Sequence, residues 1–227
     1  MKSIPFHKPH IGRQAQEMIS AILKSGWLTT GVRVKEFEER ILNLLGLKYA
    51  VAVSSGTAAL HLAYLTLDLK AGDEVIVPSF TFCSTINMIV HTGATPIFCD
   101  INPKTLCIDT TELAKKITNK TKAVVVVHFA GMPADLDKIG SICAKRGIPI
   151  IEDAAHAFGS RYKDRKIGSF GDLTCFSFDP IKNITCGEGG AVVTNDNELA
   201  QLIYKKRILG IDKDTCRNRK SRDTILN

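Results

Sequence analysis

Apolar positions follow two rhythms along this chain. Over the first fifty residues they recur every three or four places. "IGRQAQEMISAILKSG" sets Ile11, Ala15, Ile19, Ile22 and Leu23 on one face and stops at Gly26. "RVKEFEERILNLLG" does the same with Phe37, Ile41, Leu44 and Leu45, stopping at Gly46. A helical period closed by glycine predicts two helices. From Tyr49 the rhythm changes. Short apolar runs, "YAVAVS", "EVIVP", "TPIFCD", "AVVVVHF" and "IPIIED", alternate with the helical patterns "TAALHLAYLTL", "TFCSTINMIVHTG", "TTELAKKI" and "DLDKIGSICAKRG". Continuous Val/Ile runs predict strands covered on both faces. Strand and helix in alternation predict an α/β domain with a mostly parallel central sheet flanked by helices.

Beyond "IIEDAAHAFGS" the pattern predicts a loop rich in Gly and Lys, then the strands "DLTCFSF" and "GGAVVTN". A helix from about Asp196 to Leu209 follows. The organisation expected is a helical segment at 1–46, a large domain at 47–209 and an irregular basic tail at 210–227. The tail, "GIDKDTCRNRKSRDTILN" from Gly210, has few apolar positions and no period.

Composition narrows the class. Of 227 residues, 44% are hydrophobic and 23% charged, an ordinary globular balance. No run approaches the roughly 18 apolar residues of a membrane helix. The start, "MKSIPFHKPHIGRQ", has no signal-peptide core, so a cytoplasmic location is expected. Seven cysteines (Cys83, Cys99, Cys107, Cys143, Cys175, Cys186, Cys216) are scattered, odd in number and never spaced C-x-x-C. That pattern argues against a disulfide framework and a zinc site, and most are expected as reduced, buried thiols. The net charge of +7 suggests nucleic acid until it is located: 205–227 alone holds eight basic and three acidic residues. A solvated tail accounts for it, because no aromatic platform or reader motif accompanies the charge.

Four features fall at the carboxyl ends of predicted strands, where open α/β sheets bind ligands. In "SSGTAAL", Ser54 and Ser55 close a strand, Gly56 turns and Thr57 opens a helix whose free N–H groups suit a phosphate. A capped turn needing no ligand is the plainer reading. In "IPIIEDAAHA", Glu152 or Asp153 either caps the next helix or faces a cationic ring nitrogen. In "PSFTFCST", Phe80 and Phe82 flank Thr81, either as core or with one ring stacked on a flat heterocycle. In "SFDPIKNITCGEGG", Lys182 lies between a strand and a loop with Gly187, Gly189 and Gly190. A surface lysine is the default. An amine whose pKa is lowered becomes a nucleophile toward aldehydes, and Ser177, five residues earlier, offers another phosphate donor.

An anion pocket, an acid for a ring nitrogen, a stacking ring and an imine-forming lysine together specify pyridoxal phosphate. "GWLTTG", "SGTAALHLA", "GDEVIVPSFTF", "GATPIFCDI", "EDAAHAFGS" and "SFDPIKNITCGEGGAVVT" resemble, in order, the DegT/DnrJ/StrS family. These are pyridoxal-phosphate-dependent sugar aminotransferases of fold type I, and the resemblance spans Ile4 to about Leu209. It implies that Lys182 forms the Schiff base and moves protons, and that Asp153 pairs with the pyridine nitrogen. It also implies that Gly56, Thr57, Ala58 and Ser177 hold the phosphate. Phe82 then stacks on the ring, His156 stands beside it, and Trp27 to Gly31 lie near a nucleotide-sugar substrate. The implied reaction moves an amino group, usually from glutamate, to a ketone on a nucleotide-linked sugar, in a homodimer, with no nucleic acid or membrane partner. Relatives with histidine in place of the lysine are dehydratases, so Lys182 favours transamination.

Two departures from the family pattern stand out. Asp179 occupies a place where many relatives carry histidine or asparagine, and it either raises the lysine's pKa or faces solvent. The G-Y-N-x-R motif and small C-terminal domain of the family have no counterpart in "RNRKSRDTILN", so a truncated chain is expected. The alternatives are an inactive remnant or a half-enzyme needing a separate C-terminal partner. A doubly wound oxidoreductase is disfavoured, because "SSGTAAL" lacks G-x-G-x-x-G.

Overall fold

The computed structural model describes residues 3–208 and 210. Helices α1 (Arg13–Ser25) and α2 (Val32–Leu45) lead into strand β1 (Tyr49–Val53). Then follow α3 (Gly56–Thr66), β2 (Glu74–Pro78), α4 (Cys83–His91), β3 (Thr95–Cys99), α5 (Thr110–Lys116), β4 (Thr121–Val127), α6 (Leu136–Ala144) and β5 (Ile150–Asp153). A two-residue hairpin, β6 (Arg161–Tyr162) with β7 (Arg165–Lys166), precedes β8 (Leu173–Ser177), β9 (Gly190–Thr194) and α7 (Asn197–Arg207). The hairpin lies in the predicted Gly/Lys loop and is too short for any period to announce it.

Seven strands form one sheet in the order β1-β9-β8-β5-β4-β2-β3. Every pairing from β3 across to β8 is parallel. Strand β9 runs antiparallel to both β8 and β1. The carboxyl ends of β1, β2, β4, β5 and β8 therefore share one edge, and the start of β9 meets them there.

The Val/Ile runs explain the layering. Successive side chains on a strand point to opposite faces, so β4 sends Val124 and Val126 to one side and Ala123 and Val125 to the other. The first face packs on Ile41 and Leu45 of α2 and Ile139 and Cys143 of α6. The second packs on Leu60 and Tyr64 of α3, Ile89 of α4 and Ile203 of α7. Each fully buried Val or Ile contributes about 1.5–3 kcal/mol relative to exposure. Both faces are covered, as the continuous runs require.

Helix α1 differs from its pattern. Its period forms the helix, and Gly26 closes it in the left-handed conformation at φ 70°. Yet no residue of α1 is buried, with Ile19 55% and Leu23 63% exposed. Among the described residues nothing covers its apolar face. Helix α7 ends at Arg207, short of the expected Leu209, which lies outside the described residues together with Cys216 and the rest of the basic tail from 211 on. No helix among the described residues is long and apolar enough to cross a membrane.

Candidate active site

The turn after β1 approaches the end of β8 closely. Helix α3 begins at Gly56, one residue before the expected Thr57, because Ser55 is its N-cap: the Ser55 Oγ accepts the Ala58 N–H at 3.0 Å. The Ala59 N–H bonds to the Ser55 carbonyl. A helix leaves its first N–H groups without intrahelical partners; here those of Gly56 and Thr57 are the donors left over. A Cβ added at Gly56 would lie 2.8 Å from the Ser177 Cβ, so glycine lets the Ser177 hydroxyl stand beside the helix tip. Gly190 has a similar task, since a Cβ there would lie 2.4 Å from the Ser55 carbonyl oxygen. Its close approach is to the chain's own turn.

The two carboxylates ending β5 part company. Glu152 is fully buried on one face, where it accepts from Thr174 Oγ1 (2.7 Å), the Gly171 N–H (2.7 Å) and His128 Nε2 (2.8 Å). The His128 Nδ1 accepts the Ala134 N–H, so the ring carries its proton on Nε2 and donates to Glu152. Burial pushes the Glu152 carboxyl up, but the hydrogen bonds donated by His128, the Gly171 N–H and Thr174 outweigh it and hold it below the ordinary carboxylate range. Asp153 faces the opposite way. Its Oδ2 accepts from Thr85 Oγ1 at 2.7 Å and its Oδ1 from the Ala155 N–H at 3.2 Å.

Lys182 sits on a loop pinned at its neck. The Phe178 N–H bonds to the Gly189 carbonyl, and the Cys186 N–H to the Phe178 carbonyl. Phe178 is buried and packs edge-on against Phe37 and Phe158. The turn into the lysine is held by Asp179, whose Oδ1 accepts the Ile181 N–H and whose carbonyl accepts the Lys182 N–H, each at 3.0 Å. Asp179 thus shapes the turn, and among the described residues it forms no ion pair with Lys182. Although the residue is exposed, partial desolvation of the Cys186 sulfur, which lies against the Glu188 carbonyl, pushes its thiol up, and that argues against a reactive thiolate there. Of the six described cysteines, Cys83 and Cys186 are exposed and the other four buried, all of them free.

Aromatic rings line the opposite wall. Phe80 packs on Phe129 at 4.7 Å, and Phe129 meets the His156 ring edge-on at 6.0 Å. The N–H of Ala130, a non-glycine residue at φ 51°, donates to His156 Nδ1 at 3.3 Å. That leaves the His156 proton on Nε2. Burial lowers the His156 pKa below the ordinary imidazole value, the charge of Lys182 lowers it further, and Asp153 opposes both. Phe82 is 70% exposed at the mouth.

All these groups line one cavity of about 450 Å³: Gly56, Thr57, Phe82, Asp153, His156, Ser177 and Lys182. Ala58 is not among them. Its N–H is taken by Ser55, and it lines a second cavity with Val34, Leu62 and Arg207. Trp27 to Gly31 also lie apart, with Trp27 Nε1 donating to the Thr30 carbonyl. Thr81, His128 and Phe129 also line the cavity, and Thr85 stands behind it on Asp153, none of them anticipated. Thr81, just before α4, and Thr85, in its first turn, are four residues apart, and that spacing was the available signal.

The donor set fits pyridoxal phosphate. Two free N–H groups and a hydroxyl suit a dianionic phosphate, a buried carboxylate suits a pyridinium nitrogen, and an amine suits an aldehyde. The sheet and its edge cavity thus define a fold type I cofactor-binding domain. The chain belongs to the DegT/DnrJ/EryC1/StrS aminotransferase family, whose model matches residues 9–225. That match runs past Leu209, where the recognisable motifs end.

Solved structures agree. The Streptococcus pneumoniae protein Spr1654 in its PMP form is 35% identical with a TM-score of 0.90, over 95% of this chain and 59% of its own. Spr1654 has also been solved in a PLP form. Helicobacter pylori PseC, an aminotransferase involved in pseudoaminic acid biosynthesis, is 36% identical with a TM-score of 0.90, over 93% of this chain and 57% of its own. DesI, solved in the presence of its TDP-sugar product, is 38% identical with a TM-score of 0.85, over 92% of this chain and 53% of its own. The chain therefore spans between half and three-fifths of the length of these relatives.

Proposed function

We propose that this chain binds pyridoxal phosphate through Lys182 and, within a homodimer in the cytoplasm, moves an amino group from glutamate to a keto group on a nucleotide-linked sugar. The observation that carries the reading is the convergence of Lys182, Asp153, Ser177 and the tip of α3 on one cavity. Family membership supports the reaction class, and the TDP-sugar product of DesI supports the nucleotide-sugar acceptor. The exposed Trp27, Leu28 and Val32 beside α1 support a covered interface between copies. The free cysteines fit a reducing compartment.

Each residue has a defined task in this reading. The Gly56 and Thr57 N–H groups and the Ser177 hydroxyl hold the phosphate, aided by the positive end of the α3 dipole. The Asp153 carboxylate holds a proton on the ring nitrogen by opposing its charge. Phe82 offers a ring face for stacking at the mouth. His156, neutral with its proton on Nε2, offers a donor to an oxygen of the ring system. Leu60, Val127 and Phe129 exclude water from the floor. Bound pyridoxal phosphate supplies an electron sink for the pair left behind when a proton leaves the amino acid's α-carbon. Lys182 Nζ takes that proton and returns it to the neighbouring carbon.

The test is release of 2-oxoglutarate from L-glutamate by the purified protein loaded with pyridoxal phosphate. The reading expects an amount comparable to the protein present, and none from Lys182→Ala. Equal release by the variant would overturn it.

A further inference from the structure

We propose that Thr81 and Thr85 form a hydroxyl relay that sets the orientation and charge of Asp153. They are positioning residues for the group that faces the ring nitrogen, so this inference rests on the functional reading above. Proton accounting gives the relay its direction. Both Asp153 oxygens accept, Oδ1 from the Ala155 N–H and Oδ2 from Thr85 Oγ1, which is the pattern of a carboxylate. An ionised carboxylate only accepts, so Thr85 spends its single proton on Asp153. The Thr85 oxygen is then the acceptor in its 2.9 Å contact with Thr81 Oγ1, and the proton in that contact belongs to Thr81. The chain runs Thr81 to Thr85 to Asp153, each bond polarising the next.

Burial makes this arrangement consequential. Thr85 is 0% and Asp153 5% exposed, so water cannot replace a missing donor. Thr85 is also fixed from behind, since the hydroxyl of fully buried Tyr64 donates to its carbonyl at 3.0 Å. Tyr64 stands on α3, Thr85 in the first turn of α4 and Asp153 at the end of β5. Thr81 lines the cavity itself. One hydrogen-bonded path thus ties a residue in the cavity wall to the carboxylate at its floor. A bound ring nitrogen meets an Asp153 already oriented by Thr85, with less reorganisation needed.

The test compares Thr85→Val, Thr85→Ser and Thr81→Val in the full chain. With pyridoxal phosphate bound, Thr85→Val is expected to weaken cofactor affinity roughly tenfold or more, the effect of losing a hydrogen bond to a charged group. It is also expected to shift the pH at which the visible cofactor band converts, and Thr85→Ser to restore both. Thr81→Val should shift both the same way by less, and it keeps the test alive if Thr85→Val does not fold. A band and affinity unchanged in both valine variants would overturn the relay. A second measurement needs no cofactor: a double-mutant cycle of Thr85→Val with Asp153→Asn on urea stability. Losses that overlap support the bond, and strictly additive losses contradict it. If the wild-type chain shows no cofactor band, the functional reading fails and the cycle alone decides the relay.

Discussion

Ser177 fills the space that a side chain at Gly56 would need: a Cβ there would lie 2.8 Å from the Ser177 Cβ and 3.2 Å from its Oγ. The contact brings the end of β8 to the tip of α3, and so the hydroxyl to the free N–H groups. Both neighbours are backbone-anchored, and Ser177 is buried, so neither yields easily. Gly56→Ala should therefore push the helix tip from β8, destabilising the fold by about 1–3 kcal/mol as overpacking does. Pyridoxal phosphate affinity should fall with it. Calorimetric titration and a urea melt check both; an alanine variant that binds like wild type contradicts the role given to this contact.

Glu152 gives a pH-dependent prediction. Its folded-state pKa lies below the ordinary carboxylate value, so the stability it contributes is present above that ordinary value. That stability is lost as the pH falls through the lowered folded value. Glu152→Gln places an amide N–H₂ against either the His128 Nε2–H or the Gly171 and Thr174 donors. The His128 proton cannot move to Nδ1, which accepts from Ala134. The variant should lose about 1–3 kcal/mol at neutral pH, the cost of leaving buried donors unsatisfied. Its urea midpoint should depend less on pH in the acid range than that of wild type.

His156 reports on Lys182 without any cofactor. Burial is the larger cause of its lowered pKa and the Lys182 charge the next. Removing that charge in Lys182→Ala should raise the His156 midpoint in a histidine NMR titration. Asp153→Asn should lower it, because Asp153 acts in the opposite sense. An unmoved midpoint in Lys182→Ala would mean that the amine does not face the imidazole.

The fold was legible where one physical demand dominates. The Val/Ile runs of β2, β4 and β5 needed cover on both faces, and that demand alone implies the layered sheet. Site residues at strand ends, such as Asp153 and Ser177, were legible because strand ends are where parallel sheets expose free backbone. The residue pattern alone did not separate Glu152 from Asp153, and only the family resemblance singled out Asp153, since the distinction depends on which face each residue meets and the partners His128 and Thr85 are distant in sequence. Ala58 does not line the cavity because the helix starts at Gly56, one residue before the expected Thr57, and the Ser55 cap takes the Ala58 N–H. Helix α1 shows the opposite limit: its period is clear, but a period does not say what covers the face.

The account turns on where the amine of Lys182 points. Reduction of the pyridoxal phosphate-loaded protein with borohydride, followed by peptide mapping, fixes the cofactor irreversibly to the lysine that held it. The expected result is one labelled peptide containing Lys182, at close to one label per chain, and no label in Lys182→Ala. A label spread over surface lysines, or one retained in Lys182→Ala, would contradict the account.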